Sequence, residues 1–150
     1  MRTEIIAVGT ELLLGEIVNT GTVVDADPTV ELIGNVFFNK APLHDGAMIM
    51  RDGRVYAAGC ILPLTDNLQI SSELGTRHRA AIGISERSDA VVLIASEETG
   101  KISVARKGEI VRPLDAEKLR AVLTDLYNPQ PKEGNPIYKL MRRRGMHEKK

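Results

Sequence analysis

The chain has 150 residues, of which 43% are hydrophobic and 27% charged, a balance typical of one globular domain or one domain with a tail. No run approaches the roughly 18–20 consecutive apolar residues of a membrane helix, which excludes a membrane span within these residues. The N-terminus lacks the features of a signal peptide, and the single cysteine, Cys60, excludes an internal disulfide framework. These features predict a cytoplasmic protein. Because the net charge is zero, no DNA partner is expected.

The charges are distributed unevenly along the chain. The last 20 residues contain seven Lys or Arg and two Glu, a net charge of +5. The other 130 residues contain 13 basic and 18 acidic residues, a net charge of −5. Because prolines 129, 131 and 136 interrupt any helix or strand, we predict a domain over residues 1–127 and a flexible basic tail over residues 128–150.

Strands and helices alternate in the first part of the sequence. Residues 3–8 predict a strand, and the segment TELLLGEIV after it predicts a short helix. A loop is predicted over residues 19–27. A second helix is predicted to begin with Pro28 in its first turn and to end within residues 39–42. Its expected buried face consists of Val30, Ile33, Val36 and Phe37.

The pattern continues through a hairpin, a longer helix and further strands. Two apolar runs, residues 46–50 and 54–62, flank Asp52-Gly53, which is a strong hairpin signal. A helix is predicted from Gly75-Thr76 to Arg87. Three strands and a final helix capped by Asp115 are predicted over residues 90–95, 102–105, 109–111 and 116–127. This order predicts an α/β fold, a single domain with a central mixed β-sheet flanked by helices.

The first polar cluster is Leu43-His44-Asp45-Gly46-Ala47, at the start of a predicted strand. The two small residues allow a ligand to approach the backbone closely, and Asp45 can bind Mg²⁺ or accept a proton from a hydroxyl nucleophile. The alternative is that Asp45 only caps a turn and that His44 is solvated. The motif alone does not decide between the two interpretations.

The second polar cluster is Gly75-Thr76-Arg77-His78-Arg79, at the start of a predicted helix. Backbone N–H groups at a helix N-terminus attract anions, and arginines add bidentate contacts to oxygens. We therefore predict a triphosphate site here. The alternative is that Arg77 and Arg79 lie on an exposed helical face and pair with Glu73 or Glu86.

The third polar cluster is Ser96-Glu97-Glu98-Thr99-Gly100, at the end of a predicted buried strand. Its paired carboxylates can share a hard cation, and Ser96 can donate a hydrogen bond to a phosphate. Taken alone, the segment is more often an acidic hairpin turn. Motifs of other nucleotide sites, GxxxxGK[ST] and GxGxxG, do not occur in the sequence.

In this order the clusters resemble the catalytic domain of the diadenylate cyclases, which condense two ATP into cyclic di-AMP and release two pyrophosphates. The resemblance runs from about residue 20 to residue 127 and is greatest to the membrane-anchored CdaA-type cyclases. It is carried by PLHDGA (42–47), AAGCILPL (57–64), ELGTRHRAAIGISE (73–86) and SEETG (96–100). DGA and RHR at this separation are far more specific than either triplet alone.

The resemblance implies roles for the matching residues. The implied catalytic residues are Asp45, Arg77, His78 and Arg79. The implied substrate-binding residues are Gly46, Ala47, Ile61, Leu62, Gly75, Thr76, Ser96 and Glu97, with adenine meeting the main chain of Leu62. The implied ligands of a Mg²⁺ or Mn²⁺ cofactor are His44, Asp45 and Glu98. Each subunit would hold one ATP, so catalysis would require a face-to-face homodimer.

The N-terminal segment departs from this resemblance. CdaA-type cyclases carry membrane helices and one further helix before the first strand of the domain, whereas this chain begins at that strand. Residues 3–19 resemble instead the opening of the CinA/molybdopterin-binding family, so we hypothesise that a foreign strand and helix replace the cyclase's own. The alternatives are an ATP-binding module without turnover, a CinA-type binding protein, and a nucleic-acid or anionic-lipid contact of the basic tail.

Overall fold

A mixed β-sheet lies at the centre of the computed structural model, which describes residues 3–8, 13–96 and 99–127. Within these residues, seven strands lie at Thr3–Val8 (β1), Thr22–Ala26 (β2), Ala47–Arg51 (β3), Arg54–Cys60 (β4), Val91–Ser96 (β5), Ile102–Arg106 (β6) and Glu109–Leu114 (β7). Four helices lie at Leu13–Val18 (α1), Val30–Val36 (α2), Thr76–Arg87 (α3) and Ala116–Tyr127 (α4). The strand order across the sheet is β2-β4-β3-β1-β5-β6-β7.

The sheet is mixed because β1 pairs in opposite senses with its two neighbours. It runs parallel to β3, with Ile5 opposite Ala47, and antiparallel to β5, with Thr3 opposite Ser96. The pairs β2–β4, β3–β4 and β5–β6 are all antiparallel. The predicted α/β class with a central mixed sheet is therefore confirmed.

Helices cover both faces of the central strands. Along β3, Ala47 and Ile49 lie in one apolar cluster with residues of α1 and α3, whereas Met48 and Met50 lie in a second cluster with residues of α2. Side chains alternate between the two faces of a strand, so this division shows that β3 is buried on both sides. Cys60 belongs to the first cluster as a free, buried thiol.

The elements with strong local signals occur where the sequence predicted them. The Asp52-Gly53 turn joins β3 to β4, and α3 begins after Gly75 and ends at Arg87. The buried residues of α3 include Ala80, Ala81 and Ile84. β4 ends at Cys60, two residues before the predicted end.

The predicted loop over residues 19–27 was wrong, because it contains β2. This strand pairs antiparallel with β4, and its register is interrupted between Val23 and Ala26, where Asp25 has a φ of 46°. Arg54 on β4 holds the irregular segment, since its Nε lies 2.7 Å from Asp25 Oδ1 and its Nη1 lies 2.8 Å from Asp27 Oδ1. Five residues with such an interruption do not produce the alternating pattern that marks a strand.

The second helix is shorter than predicted. Thr29 is its N-cap, since its hydroxyl accepts a hydrogen bond from the Leu32 N–H at 3.1 Å, so Pro28 precedes the helix instead of lying in its first turn. The helix ends at Val36, before the predicted residues 39–42. Val36 and Phe37 are buried as expected, but Val30 is 83% exposed. Its assignment to the buried face was therefore wrong.

The chain forms two compact units, residues 1–112 and residues 113–150. In the second unit, the described residues include α4, which is capped by the Asp115 carboxylate accepting from the Lys118 N–H at 2.8 Å. The predicted tail, residues 128–150, lies outside the described residues, and the boundary at residue 127 stays a prediction. No described helix is long and apolar enough to cross a membrane.

Candidate active site

The sheet brings the predicted segments to one end. Ala47 at the start of β3 pairs with Cys60 at the end of β4 and with Ile5 of β1. Ile5 also pairs with Ile94, two residues before Ser96 at the end of β5. The polar residues that precede β3, follow β4 and end β5 therefore lie at the same end of the sheet.

A contact between Asp45 and Arg77 joins the first predicted cluster to the second. Arg77 Nη2 lies 3.4 Å from Asp45 Oδ1, although the two residues are 32 positions apart in the sequence. The Asp45 side chain is 82% exposed and that of Arg77 31% exposed. An ion pair this open to solvent contributes about 0–1 kcal/mol to stability. The contribution of this ion pair to folding stability is therefore too small to account for the two side chains lying together.

The structure pairs the glutamates near α3 with other partners. Glu73 Oε2 lies 3.5 Å from Arg112 Nη2, and Glu86 Oε1 accepts a hydrogen bond from the Thr65 hydroxyl at 2.8 Å. The alternative in which Arg77 and Arg79 lie on an exposed face and pair with Glu73 or Glu86 stays a hypothesis beside the contact of Arg77 with Asp45.

His44 presents one ring nitrogen for binding. Its Nδ1 lies within hydrogen-bond distance of the Ala41 carbonyl oxygen. A carbonyl oxygen only accepts, so Nδ1 carries the hydrogen, and Nε2 of the neutral ring keeps its lone pair. That lone pair can bind a metal ion.

Gly46 is explained by the packing of β3 against β4. Its φ is +132°, and a Cβ atom there would lie 2.6 Å from the Gly59 carbonyl carbon and 2.9 Å from the Cys60 nitrogen. Ala47 is likewise buried within the sheet. Any larger residue at position 46 would displace the backbone of β4. A substrate-binding role for Gly46 and Ala47 stays a prediction.

The N-terminus of α3 has the features of an anion site. Gly75 is its N-cap in an extended conformation, and among the described residues no side chain caps the first turn. Gly75 and Thr76 are exposed, and the next three residues, Arg77 to Arg79, are partly buried. Uncapped N–H groups beside cationic side chains favour a bound anion.

The pKa of His78 is lowered from its ordinary value of 6.5, first by partial burial and then by the positive charge of Arg112. The unfolded chain therefore binds this proton more readily than the folded chain does. Accordingly, the stability linked to His78 is complete above pH 6.5 and is lost as the pH falls below it toward the folded-state pKa.

We expect urea unfolding from pH 8 to pH 5 to give a flatter curve of unfolding free energy against pH for His78→Gln than for the wild type. If the free energy of unfolding changes with pH equally in both proteins below pH 6.5, the lowered pKa of His78 is contradicted.

Ile61 and Leu62 follow β4 at the same end of the sheet. Ile61 is 68% exposed, whereas Leu62 is buried. The Ile61 N–H donates to the Thr20 hydroxyl at 2.8 Å. Thr20 was missed from the sequence, because no local pattern links a residue in the turn after α1 to one 41 positions later.

Ser96, at the end of β5, makes backbone hydrogen bonds to Gly100 and Lys101. Its N–H donates to the Lys101 carbonyl at 3.0 Å, and its own carbonyl accepts from the Gly100 N–H at 2.8 Å. Glu97 and Glu98 lie outside the described residues. In the part of the chain that the structure describes, no three His, Cys, Asp or Glu residues are grouped to hold a metal ion. The predicted metal set of His44, Asp45 and Glu98 therefore stays a prediction.

The family of the chain follows from its sequence match. The family model described as DisA bacterial checkpoint controller nucleotide-binding, or DAC, matches residues 3–110. The chain belongs to the DAC family. The match includes residues 3–19, and β1 occupies a central position in the sheet. The resemblance of this segment to the CinA family stays a separate hypothesis.

Several curated relatives of this DAC-family chain carry cyclase names. The cyclic di-AMP synthase CdaA of Bacillus subtilis is 48% identical over 110 residues, 73% of this chain and 40% of that protein. A diadenylate cyclase of Mycoplasma genitalium is 49% identical over 107 residues, 71% of this chain and 53% of that protein. The chain thus spans about half the length of these relatives.

Solved structures share the fold of this DAC-family chain. A crystal structure of DacA from Staphylococcus aureus, a double mutant, is 42% identical with a TM-score of 0.79, and 85% of each chain is covered. A structure called the hypothetical membrane spanning protein from Bacillus cereus is 41% identical with a TM-score of 0.70, over 76% of this chain and 56% of that one.

Proposed function

We propose that the chain is the catalytic domain of a diadenylate cyclase, which condenses two ATP into cyclic di-AMP and two pyrophosphates. The observation that carries the proposal is the 3.4 Å contact between Arg77 and Asp45, because it puts a carboxylate beside a helix N-terminus that has no side-chain cap. The names of the relatives, cyclic di-AMP synthase and diadenylate cyclase, support the same activity.

Asp45 acts at the attacking oxygen in the proposed reaction. Its exposed carboxylate accepts the proton of the ribose 3′-hydroxyl on one ATP. The 3′-oxygen then bonds to the α-phosphorus of the other ATP, the bond from that phosphorus to the bridging oxygen breaks, and pyrophosphate leaves. The same step in the opposite direction forms the second phosphodiester bond and closes the ring.

The start of α3 neutralises charge on the triphosphate. Its uncapped N–H groups and the side chains of Thr76, Arg77, His78 and Arg79 bind phosphate oxygens, and Ser96 adds a hydroxyl donor. Arginine carries a permanent charge and two parallel donors, so Arg77 and Arg79 also stabilise the negative charge that grows on the leaving pyrophosphate.

The exposed carboxylate of Asp45 fits a hard divalent cation. Mg²⁺ is usually held by one or two carboxylates together with substrate phosphates, so it does not require three protein ligands grouped in advance. We assign its binding to the exposed Asp45 carboxylate and to Nε2 of His44, with Glu98 as a further ligand. When bound, Mg²⁺ or Mn²⁺ supplies positive charge to the phosphate oxygens.

Catalysis requires two copies of the chain. Each copy binds one ATP, and the reaction joins two, so the sites must face each other across a two-fold axis. We place the reaction in the cytosol, in keeping with the free thiol of Cys60.

We expect the full chain with ATP and Mn²⁺ or Mg²⁺ to produce cyclic di-AMP, identified by its mass. Where the dimer is the minor species, doubling the enzyme concentration should raise the rate by about fourfold, and at higher concentrations the dependence should become linear. Sedimentation at the same concentrations provides the control. A rate proportional to enzyme concentration while the chain is monomeric would contradict the dimer requirement. ATP binding without any product would select the alternative, a nucleotide-binding module without turnover.

A further inference from the structure

The segment between β4 and α3 begins with Ile61 to Thr65, and the fold holds it at both ends. At its start, the Ile61 N–H donates to the Thr20 hydroxyl at 2.8 Å. At its end, the Thr65 N–H donates to the Arg79 carbonyl at 3.1 Å. The segment therefore connects the turn after α1 to the helix that carries the predicted phosphate-binding residues.

The Thr20 hydroxyl makes two hydrogen bonds at once. It donates to the Ile17 carbonyl at 2.6 Å while it accepts from the Ile61 N–H. The next residue, Gly21, lies so close to β4 that a Cβ atom there would be 2.4 Å from the Ala58 carbonyl oxygen. The turn after α1 is thus packed against the end of β4, and the Thr20 hydroxyl sets the position of the first backbone group beyond it.

This arrangement restricts which backbone groups can meet a ligand. The N–H of Ile61 is already occupied by Thr20, so main-chain recognition of a base at this segment falls to the carbonyl of Ile61 and to the peptide groups of Leu62. Leu62 is also fixed, since its side chain is buried in the core. We infer that Thr20 is a positioning residue for the nucleotide base, acting through the backbone of Ile61 and Leu62.

The inference rests on the proposed function, and it takes over the contact that the family resemblance implies, adenine against the main chain of Leu62. It predicts that the base and the triphosphate of the nucleotide are affected differently. Loss of the Thr20 hydroxyl should weaken contacts to the base while contacts of the triphosphate to α3 are kept. The hydrogen bond between Thr20 and Ile61 is internal to the protein, so its typical strength sets an upper limit of about tenfold on the change in affinity that its loss can cause.

The test uses the full chain with Mg²⁺, at concentrations where sedimentation shows a monomer so that ATP binds without turnover, and compares two probes, ATP and inorganic triphosphate, by calorimetry. Thr20→Val removes the hydroxyl with little change in shape, and Thr20→Ser keeps it. Thr22→Val is the matched control, since Thr22 is exposed on β2 two residues away. We expect Thr20→Val to raise the Kd for ATP by about threefold to tenfold and the Kd for triphosphate by less than about twofold. Thr20→Ser and Thr22→Val should match the wild type for both probes.

Two further measurements separate positioning from general damage. In Thr20→Val the KM for ATP should rise while kcat changes by less than about twofold, and the Ile61 amide should exchange its hydrogen faster than in the wild type. Equal weakening of ATP and triphosphate, or an unchanged Kd for ATP, would overturn the inference. If the wild type makes cyclic di-AMP and Thr20→Val binds ATP normally, only the inference fails. If the wild type does not bind ATP, the proposed function fails as well.

Discussion

Replacing Asp45 with Asn is expected to lower kcat for cyclic di-AMP formation by at least about 100-fold. The amide has nearly the shape of the carboxylate, but it neither accepts the 3′-hydroxyl proton nor supplies negative charge to a divalent cation. The fold should be retained, because Asp45 is 82% exposed and its contact with Arg77 contributes at most about 1 kcal/mol. Rates at saturating ATP, with cyclic di-AMP measured by mass, test the expectation, and urea unfolding checks the fold.

Asp52→Asn is the matched control for Asp45→Asn. Asp52 is also an exposed aspartate beside an arginine, with its Oδ2 3.6 Å from Arg51 Nε, but it lies at the opposite end of β3 from Asp45. The same change of charge there should leave kcat within about twofold of the wild type. If Asp45→Asn retains wild-type turnover while Asp52→Asn behaves as expected, Asp45 has no part in the chemistry.

Local signals in the sequence were enough to predict much of the fold. The Asp52-Gly53 turn could be predicted because two apolar runs flank it. The helix α3 could be predicted because its pattern begins directly after Gly75. The error at β2 arose where a tertiary contact decides the structure. β2 is a short, irregular strand held by Arg54, 29 residues away from Asp25.

In the candidate site, too, local sequence signals predicted some features and tertiary contacts decided the others. Each of its polar clusters could be found from the sequence, because each lies at the start or end of a strand or helix. Their convergence depends on strand order and register, which place Ala47 opposite both Ile5 and Cys60. Thr20 could not be predicted at all, since its hydrogen bond to Ile61 exists only once the turn after α1 packs against β4.

Gly83→Ala tests how closely α3 packs against the segment that follows β4. In an isolated helix this substitution stabilises by about 1 kcal/mol. In this structure, however, a Cβ at position 83 would lie 2.3 Å from the Pro63 carbonyl oxygen and 2.6 Å from the Thr65 nitrogen, both of them backbone atoms. Helix and segment must separate, so we expect a net loss of about 1–3 kcal/mol in the free energy of unfolding, measured by urea denaturation. Because the displaced segment includes Leu62, the Kd for ATP should also rise.

Gly34→Ala provides the control of opposite sign. Gly34 lies within α2, is exposed, and has no atom within 4 Å of the position that a Cβ would take. The same substitution should therefore stabilise the chain by up to about 1 kcal/mol and leave the Kd for ATP unchanged. Helix propensity favours alanine at both positions, so a loss of stability at position 83 alone would indicate the contact of Gly83 with residues 63–65. If both glycines respond alike, that contact does not hold the segment on α3, and nucleotide binding does not depend on it.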